Sequence, residues 1–316
     1  MGIERLAGSK LGVAIGVRLE RFFKGLDLDP GLLKHVPPPA LVADSGGLEI
    51  AFWSFGSGDP LMLITGLGMP AATWGPLPSV LSSKGYQTIV MDNRDCGTSG
   101  VCDDEYTITE MAADAMAVLD ALGIEKTYLL GASMGGFIAQ EMTISHPHRV
   151  ERLMLISTGP GIGGGIPPET EVMTAIFNSM DEDPTEVTRN VVGLLTGPGW
   201  AEKHPRLMKF AINQKLVDAA NMANVERQWT ASATFSSWDR LDQIRCPVMI
   251  LHGDADLLVP VGNGEALASR IPQAGFLKLS GVGHILPLER PAELLNAIGG
   301  FFPTGILRPS RAGEPA

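Results

Sequence analysis

Apolar positions along this chain fall in short runs separated by longer amphipathic stretches. Leu48–Phe55 and Leu61–Thr65 read as strands around the turn Gly56-Ser57-Gly58-Asp59-Pro60, and Tyr86–Met91 as a third. Thr107–Leu122 predicts a helix: Ile108, Met111, Ala112, Met116, Leu119 and Leu122 recur at helical spacing, and Gly123 marks a stop. Thr127–Leu130 is a short apolar strand, and Gly135–Ser145 a helix that ends near His146-Pro147. Leu153–Ser157, Val248–Leu251 and Phe276–Leu279 are further apolar strands. Pro291–Phe302 is a last helix, with proline at its start where a missing N–H costs little.

Short buried strands alternating with helices predict an α/β protein, with a mostly parallel sheet and helices on both faces. The rhythm breaks after Pro160. Residues 161–240 show no clear buried strand, a Gly-rich entry and the acidic run Asp181-Glu182-Asp183. They predict a mainly helical cap inserted over one edge of the sheet, which leaves 41–160 and 241–302 as the core. Residues 1–40 are more basic than acidic and end in Pro37-Pro38-Pro39, which reads as a linker after an N-terminal appendage. Within the appendage, apolar Leu11–Val17 runs straight into Arg18, Glu20 and Arg21, which predicts an amphipathic helix rather than a cleaved leader. Residues 303–316 predict a flexible tail.

Charge narrows the function. Residues 41–300 hold 30 acidic and 16 basic residues, so the body carries about −14 of charge. Such a surface repels phosphate backbones, which argues against nucleic-acid partners. No run of 18 apolar residues occurs, so no membrane span is expected. Cys96, Cys102 and Cys246 form no CxxC pair, which points to reduced thiols and a cytoplasmic location. The histidines show no HExxH or other metal spacing, and no metal or organic cofactor is called for. A homo-oligomer stays open.

The chemistry concentrates in Gly131-Ala132-Ser133-Met134-Gly135, which follows an apolar strand and opens a helix. That is the setting of a nucleophile elbow: a serine on a tight turn, with small neighbours and a helix N-terminus beneath a developing oxyanion. A serine hydroxyl needs a base, and the base needs an orienting acid. Asp256 lies just past the strand Val248–Leu251 and His284 just past Phe276–Leu279, in the order acid then histidine. Asp254 competes with Asp256 and reads better as a turn residue; His252 precedes both and reads as structural. Ser133, His284 and Asp256 are therefore the expected nucleophile, base and acid. The expected oxyanion donors are the backbone N–H of Met134 and, from the loop Thr65–Met69, that of Leu67, with Gly68 next. Met69, Trp74, Trp200, Trp229 and Trp238 are the expected substrate contacts, with Met173, Phe177 and Met208 also available in the insertion.

Taken together, these motifs resemble the α/β-hydrolase superfamily over roughly residues 45–302. The likeness rests on Gly66-Leu67-Gly68, the run from Asp92 through Arg94 to Ser99, Gly131–Gly136, Asp256 to Pro260, and Gly283-His284. It implies an α/β-hydrolase fold with a helical cap and a carboxylesterase-like activity on small, fairly apolar ester substrates. It also implies a bracing role for Asp92 and Arg94. Thr65-Gly66 stands where many members have His-Gly; with Arg94-Asp95 this resembles small-molecule carboxylesterases, including methyl esterases acting on polyketides. A lactonase, a C–C bond hydrolase or a cofactor-free perhydrolase would use the same triad. A catalytically inactive receptor or scaffold is the non-enzymatic alternative. Dehalogenases and epoxide hydrolases need an aspartate where Ser133 stands.

Overall fold

The computed structural model describes residue 38 and residues 40–179, 183–213 and 222–307. The amphipathic helix expected within residues 1–40 and the tail residues 308–316 lie outside the described residues. Among the described residues, eight strands form one sheet: β1 (Leu41–Ser45), β2 (Leu48–Phe55), β3 (Asp59–Ile64), β4 (Tyr86–Met91), β5 (Thr127–Ala132), β6 (Val150–Ile156), β7 (Val248–Gly253) and β8 (Gly275–Leu279). Their order is β1-β2-β4-β3-β5-β6-β7-β8. β1–β2 and β2–β4 pair antiparallel, and every other pair is parallel.

The apolar runs are continuous because both faces of the sheet are covered. In β3, Met62 and Ile64 pack on one face against Met111 and Ala115 of α2 (Ile108–Ala121) and Ile138 of α3 (Met134–Ser145). Leu61 and Leu63 pack on the other, against Val80 and Leu81 of α1 (Leu77–Ser83) and Leu294 and Ile298 of α11 (Pro291–Phe301). α2 starts where its sequence caps it: the Glu110 carboxylate accepts the Thr107 N–H at 2.7 Å. The pattern does not mark β1, because Leu41 and Val42 face solvent on this edge strand and only Ala43 is buried. It also misses α1, a seven-residue helix, and α9 (Gly262–Arg270), which opens on Gly-Asn-Gly.

Between β6 and β7 the chain runs through α4 (Thr170–Ser179), α5 (Pro184–Leu195), α6 (Trp200–Lys203), α7 (Pro205–Asn213) and α8 (Met222–Thr234). α4 to α7 carry small apolar cores, one around Val192, Trp200, Leu207 and Met208, another around Val187, Val191 and Leu195, whereas Ala231 of α8 packs into the main core. Residues 303–307, expected in a flexible tail, are held instead. The Tyr128 hydroxyl donates to the Pro303 carbonyl at 2.8 Å, and the buried Asp59 carboxylate accepts the N–H groups of Gly305 and Leu307.

Sheet order decides where a site can form. From β3 the chain steps outward to β4, then returns past β3 to β5 and proceeds the other way. The loops leaving the C-terminal ends of β3 and β5 therefore part in opposite directions. The crevice between them is the usual place for ligands in an open α/β sheet.

Candidate active site

Ser133 stands between β5 and α3 at φ 55°, ψ −123°. A side chain at positive φ is strained by roughly 1–3 kcal/mol and persists only where surroundings over-determine it. Here they do: the Ser133 N–H donates to the Ile156 carbonyl at 2.9 Å, while its own carbonyl accepts from Gly136 N–H and from the Thr158 hydroxyl, each at 2.8 Å. The flanking glycines are sterically required. A Cβ on Gly131 would stand 2.2 Å from the Gly135 carbonyl oxygen, and one on Gly135 would stand 2.3 Å from that of Ile64.

The three side chains expected to converge do so. His284 Nε2 lies 3.0 Å from Ser133 Oγ, and His284 Nδ1 lies 2.8 Å from Asp256 Oδ2. The other Asp256 oxygen accepts the N–H groups of Leu258 at 3.0 Å and Val259 at 2.8 Å. Burial pushes the Asp256 carboxyl up. The neighbouring His284 charge, hydrogen bonds from His252 and His284, and the Val259 N–H together outweigh it and hold the group at about 2. Asp254 takes the turn role: its carboxylate accepts the Gly281 N–H at 2.7 Å at the base of the histidine loop. His252 is fully buried and its Nε2 sits 2.8 Å from the Val259 carbonyl, a structural contact beneath Asp256.

Bracing by Asp92 and Arg94 is also seen. Asp92 accepts the N–H groups of Ala71 at 2.7 Å and Thr98 at 2.8 Å; Arg94 forks onto Asp114 of α2 at 2.7 and 2.8 Å. The loop Thr65–Met69 is tied at several points. The Thr65 hydroxyl donates to the Met69 carbonyl at 2.7 Å, and the Met69 N–H donates to the Gly66 carbonyl at 3.2 Å. The Gly68 N–H donates to Gln228 Oε1 at 2.7 Å.

Three contributors escape a reading of the sequence, and all reach across long separations. Gln228 on α8 holds the Thr65–Met69 loop. The Leu195 carbonyl at the end of α5 accepts the His284 N–H at 2.7 Å. Buried Glu289, in α10 (Leu286–Glu289), accepts the N–H groups of Gly197 at 2.8 Å and Gly283 at 2.9 Å, and burial keeps its carboxyl above the ordinary glutamate range. Gln228 and Leu195 carry no local signature. A carboxylate five residues after His284, set between Pro287 and Pro291, is the one available hint of Glu289's place.

Ser133 and His284 open onto a cavity of about 1090 Å³. Of the expected substrate contacts, Met69, Trp74 and Trp229 line it, as do Met173 and Met134. Trp200 and Trp238 do not. Trp200 is buried inside the insertion's own core and stacks on His204 with ring centroids 4.8 Å apart. Trp238 lies under the guanidinium of Arg270 at 4.2 Å, and its ring is packed so closely on Gly164 that a Cβ there would come within 2.0 Å. Both are structural aromatics, and an apolar composition alone does not separate the two uses. Met208 likewise belongs to the insertion core; the side chain of Phe177 lies outside the described residues. Among the described residues, no group of three His, Cys, Asp or Glu side chains is placed to hold a metal ion, and no helix is long and apolar enough to cross a membrane.

A mostly parallel sheet with a serine elbow at its switch point defines a hydrolase-type α/β architecture. The chain belongs to the α/β-hydrolase fold family, which its residues 59–291 match. It is 26% identical over 259 residues to RutD of Azorhizobium caulinodans, provisionally named a carbamate hydrolase, covering 82% of this chain and 97% of that protein. It is 27% identical over 284 residues to the rhodomycin D methylesterase of Streptomyces peucetius, covering 79% and 94%. Among solved structures it resembles Est816, described as an N-acyl homoserine lactone degrading enzyme, with a TM-score of 0.72 and 28% identity over 83% of this chain and all of that one.

Proposed function

We propose that this protein is a serine hydrolase that cleaves carboxylic esters of fairly apolar molecules through an acyl-enzyme intermediate. The observation that carries the reading is the relay from Ser133 through His284 to Asp256 at the mouth of an apolar cavity. Asp256 fixes the imidazole with its proton on Nδ1, so Nε2 accepts the Ser133 proton as Oγ attacks the ester carbonyl. The carbonyl oxygen becomes an oxyanion held by the N–H groups of Met134 and Leu67. Gly68 and Met69 have committed their own N–H groups to Gln228 and to the Gly66 carbonyl, which favours Leu67 as the donor from that loop. His284 then gives its proton to the leaving alcohol, activates a water against the acyl carbonyl, and Ser133 is restored. A lactone is an internal ester, and the same steps would open one; the likeness to Est816 supports including lactones among the substrates tested.

The direct test is a fluorophosphonate probe, in which Ser133 Oγ bonds to phosphorus and fluoride leaves. Stoichiometric labelling of the peptide carrying Ser133, with parallel loss of ester hydrolysis, is the expected result. Hydrolysis that survives full labelling overturns the assignment, and absence of both labelling and hydrolysis supports the scaffold alternative.

The cavity also predicts how substrates are sorted. Its wall is built largely from residues such as Met69, Trp74, Met134, Phe137, Ile166 and Leu295; among the described residues lining it, the ionisable side chains are Glu226 and His284. A substrate carboxylate would be desolvated there, with no lysine or arginine among the described lining residues to receive it, at a cost of several kcal/mol. Matched esters ending in a methyl group or in a carboxylate should differ in kcat/KM by about 100-fold or more in favour of the neutral one. Equal rates would show that the charged end stays in solvent.

A further inference from the structure

Gln228 is fully buried, on a helix of the insertion, and both ends of its carboxamide are used. Oε1 accepts the Gly68 N–H at 2.7 Å and Nε2 donates to the Arg94 carbonyl at 2.7 Å. The contacts span 160 and 134 residues of sequence. A buried amide is costly unless every polar atom is paired, and here the pairs join helix α8 to the two loops that follow β3 and β4. The next residue back, Arg227, makes a different link from the same helix: its Nε and Nη2 reach the Asp95 carboxylate at 2.8 and 3.1 Å. Two adjacent side chains thus anchor α8, but only the Gln228 contact bears on the Gly66–Met69 turn.

We propose that Gln228 is a positioning residue for the oxyanion hole, an inference that rests on the ester-hydrolase reading above. By taking the Gly68 N–H it fixes the peptide that follows Leu67, so the Leu67 N–H is already set when charge develops on the substrate oxygen. Preorganised donors lower the barrier because they need no reorientation at the moment of reaction. The helical insertion is then part of the catalytic framework and not only the roof of the substrate cavity. Its other end bears on the histidine loop in a parallel way, through the Leu195 carbonyl and the Glu289 bridge.

Three variants separate positioning from plain anchoring, each assayed on a neutral ester and with the fluorophosphonate probe. Gln228→Met keeps length and burial but frees the Gly68 N–H; kcat should fall about 100-fold with KM within about 2-fold, and labelling should slow by a similar factor, because phosphorylation needs the same donors. Arg227→Met removes the neighbouring anchor, lowers stability because the buried Asp95 carboxylate loses its cationic partner, and should leave kcat within about 3-fold. Gln228→Glu keeps an acceptor for Gly68, and its fully buried carboxyl, facing the Arg94 carbonyl oxygen, takes up a proton and donates there in place of the amide; its kcat should stay at least about 10-fold above that of Gln228→Met. Equal losses in Gln228→Met and Arg227→Met, or a rise in KM at constant kcat, would make Gln228 a helix anchor only. Should Gln228→Met not fold, Gln228→Glu decides alone, and a loss of about 100-fold there overturns the proposal. Wild-type turnover and labelling are read alongside: failure of these sinks the hydrolase reading itself, whereas an active wild type with indifferent Gln228 variants sinks only this inference.

Discussion

Ser133→Ala should lower kcat by about a million-fold on any ester the protein accepts, the scale seen when a serine nucleophile is removed from a comparable relay. The physical reason is that no neighbour can replace the lost oxygen. Ser133 Oγ is the atom 3.0 Å from His284 Nε2, and the residues on either side of it in the chain, Ala132 and Met134, carry no hydroxyl. The residual rate would come from oxyanion donors acting on attack by water. Stability should barely move. Alanine shares the Cβ that already tolerates the elbow's positive φ, and the backbone bonds to Ile156, Gly136 and Thr158 do not involve the hydroxyl. The measurement pairs steady-state hydrolysis with thermal unfolding. A variant as stable as wild type that keeps more than a few per cent of its turnover would remove Ser133 from the chemistry.

Much of this was legible in the residues themselves, for identifiable reasons. A parallel sheet covered on both faces imposes continuous apolar runs, so strands such as β3 and β7 announce themselves. The elbow is legible because steric crowding leaves little choice but glycine at 131 and 135. The order of Asp256 and His284 is legible because each leaves the C-terminal end of its own strand. What is hidden depends on tertiary proximity. β1 is hidden because an edge strand with two solvent-facing apolar residues has no alternation to read. Trp200 and Trp238 misled because an aromatic ring serves equally as core or as pocket wall, and only packing distinguishes them. Gln228 is hidden most deeply, since its partners lie 160 and 134 residues away and its own helix would tolerate a glutamine anywhere on its surface.

Asp256→Asn should cost about 10⁴ in kcat while Asp254→Asn stays within about 3-fold, although the two carboxylates are separated by a single residue. An asparagine at 256 can still accept the Leu258 and Val259 N–H groups through its carbonyl oxygen, which turns the amide nitrogen toward His284 Nδ1. An N–H facing Nδ1 forces the imidazole proton onto Nε2, and a protonated Nε2 cannot take the Ser133 proton. Asp254 touches the Gly281 N–H, an acceptor role that asparagine fills equally well. The same substitution has a signature in acid. The Asp256 carboxyl sits at about 2 in the folded protein against an ordinary 3.8, so its ionised form is favoured by folding. That contribution is complete above the ordinary value and is lost as pH falls through the folded one. Asparagine has nothing to titrate there. The difference in unfolding free energy between wild type and Asp256→Asn should therefore shrink by about 2 kcal/mol between pH 4 and pH 2, as chemical denaturation would show. A difference that stays constant over that range would mean the carboxylate is not held by its histidine partners, and with it would go the argument that Asp256 orients the base.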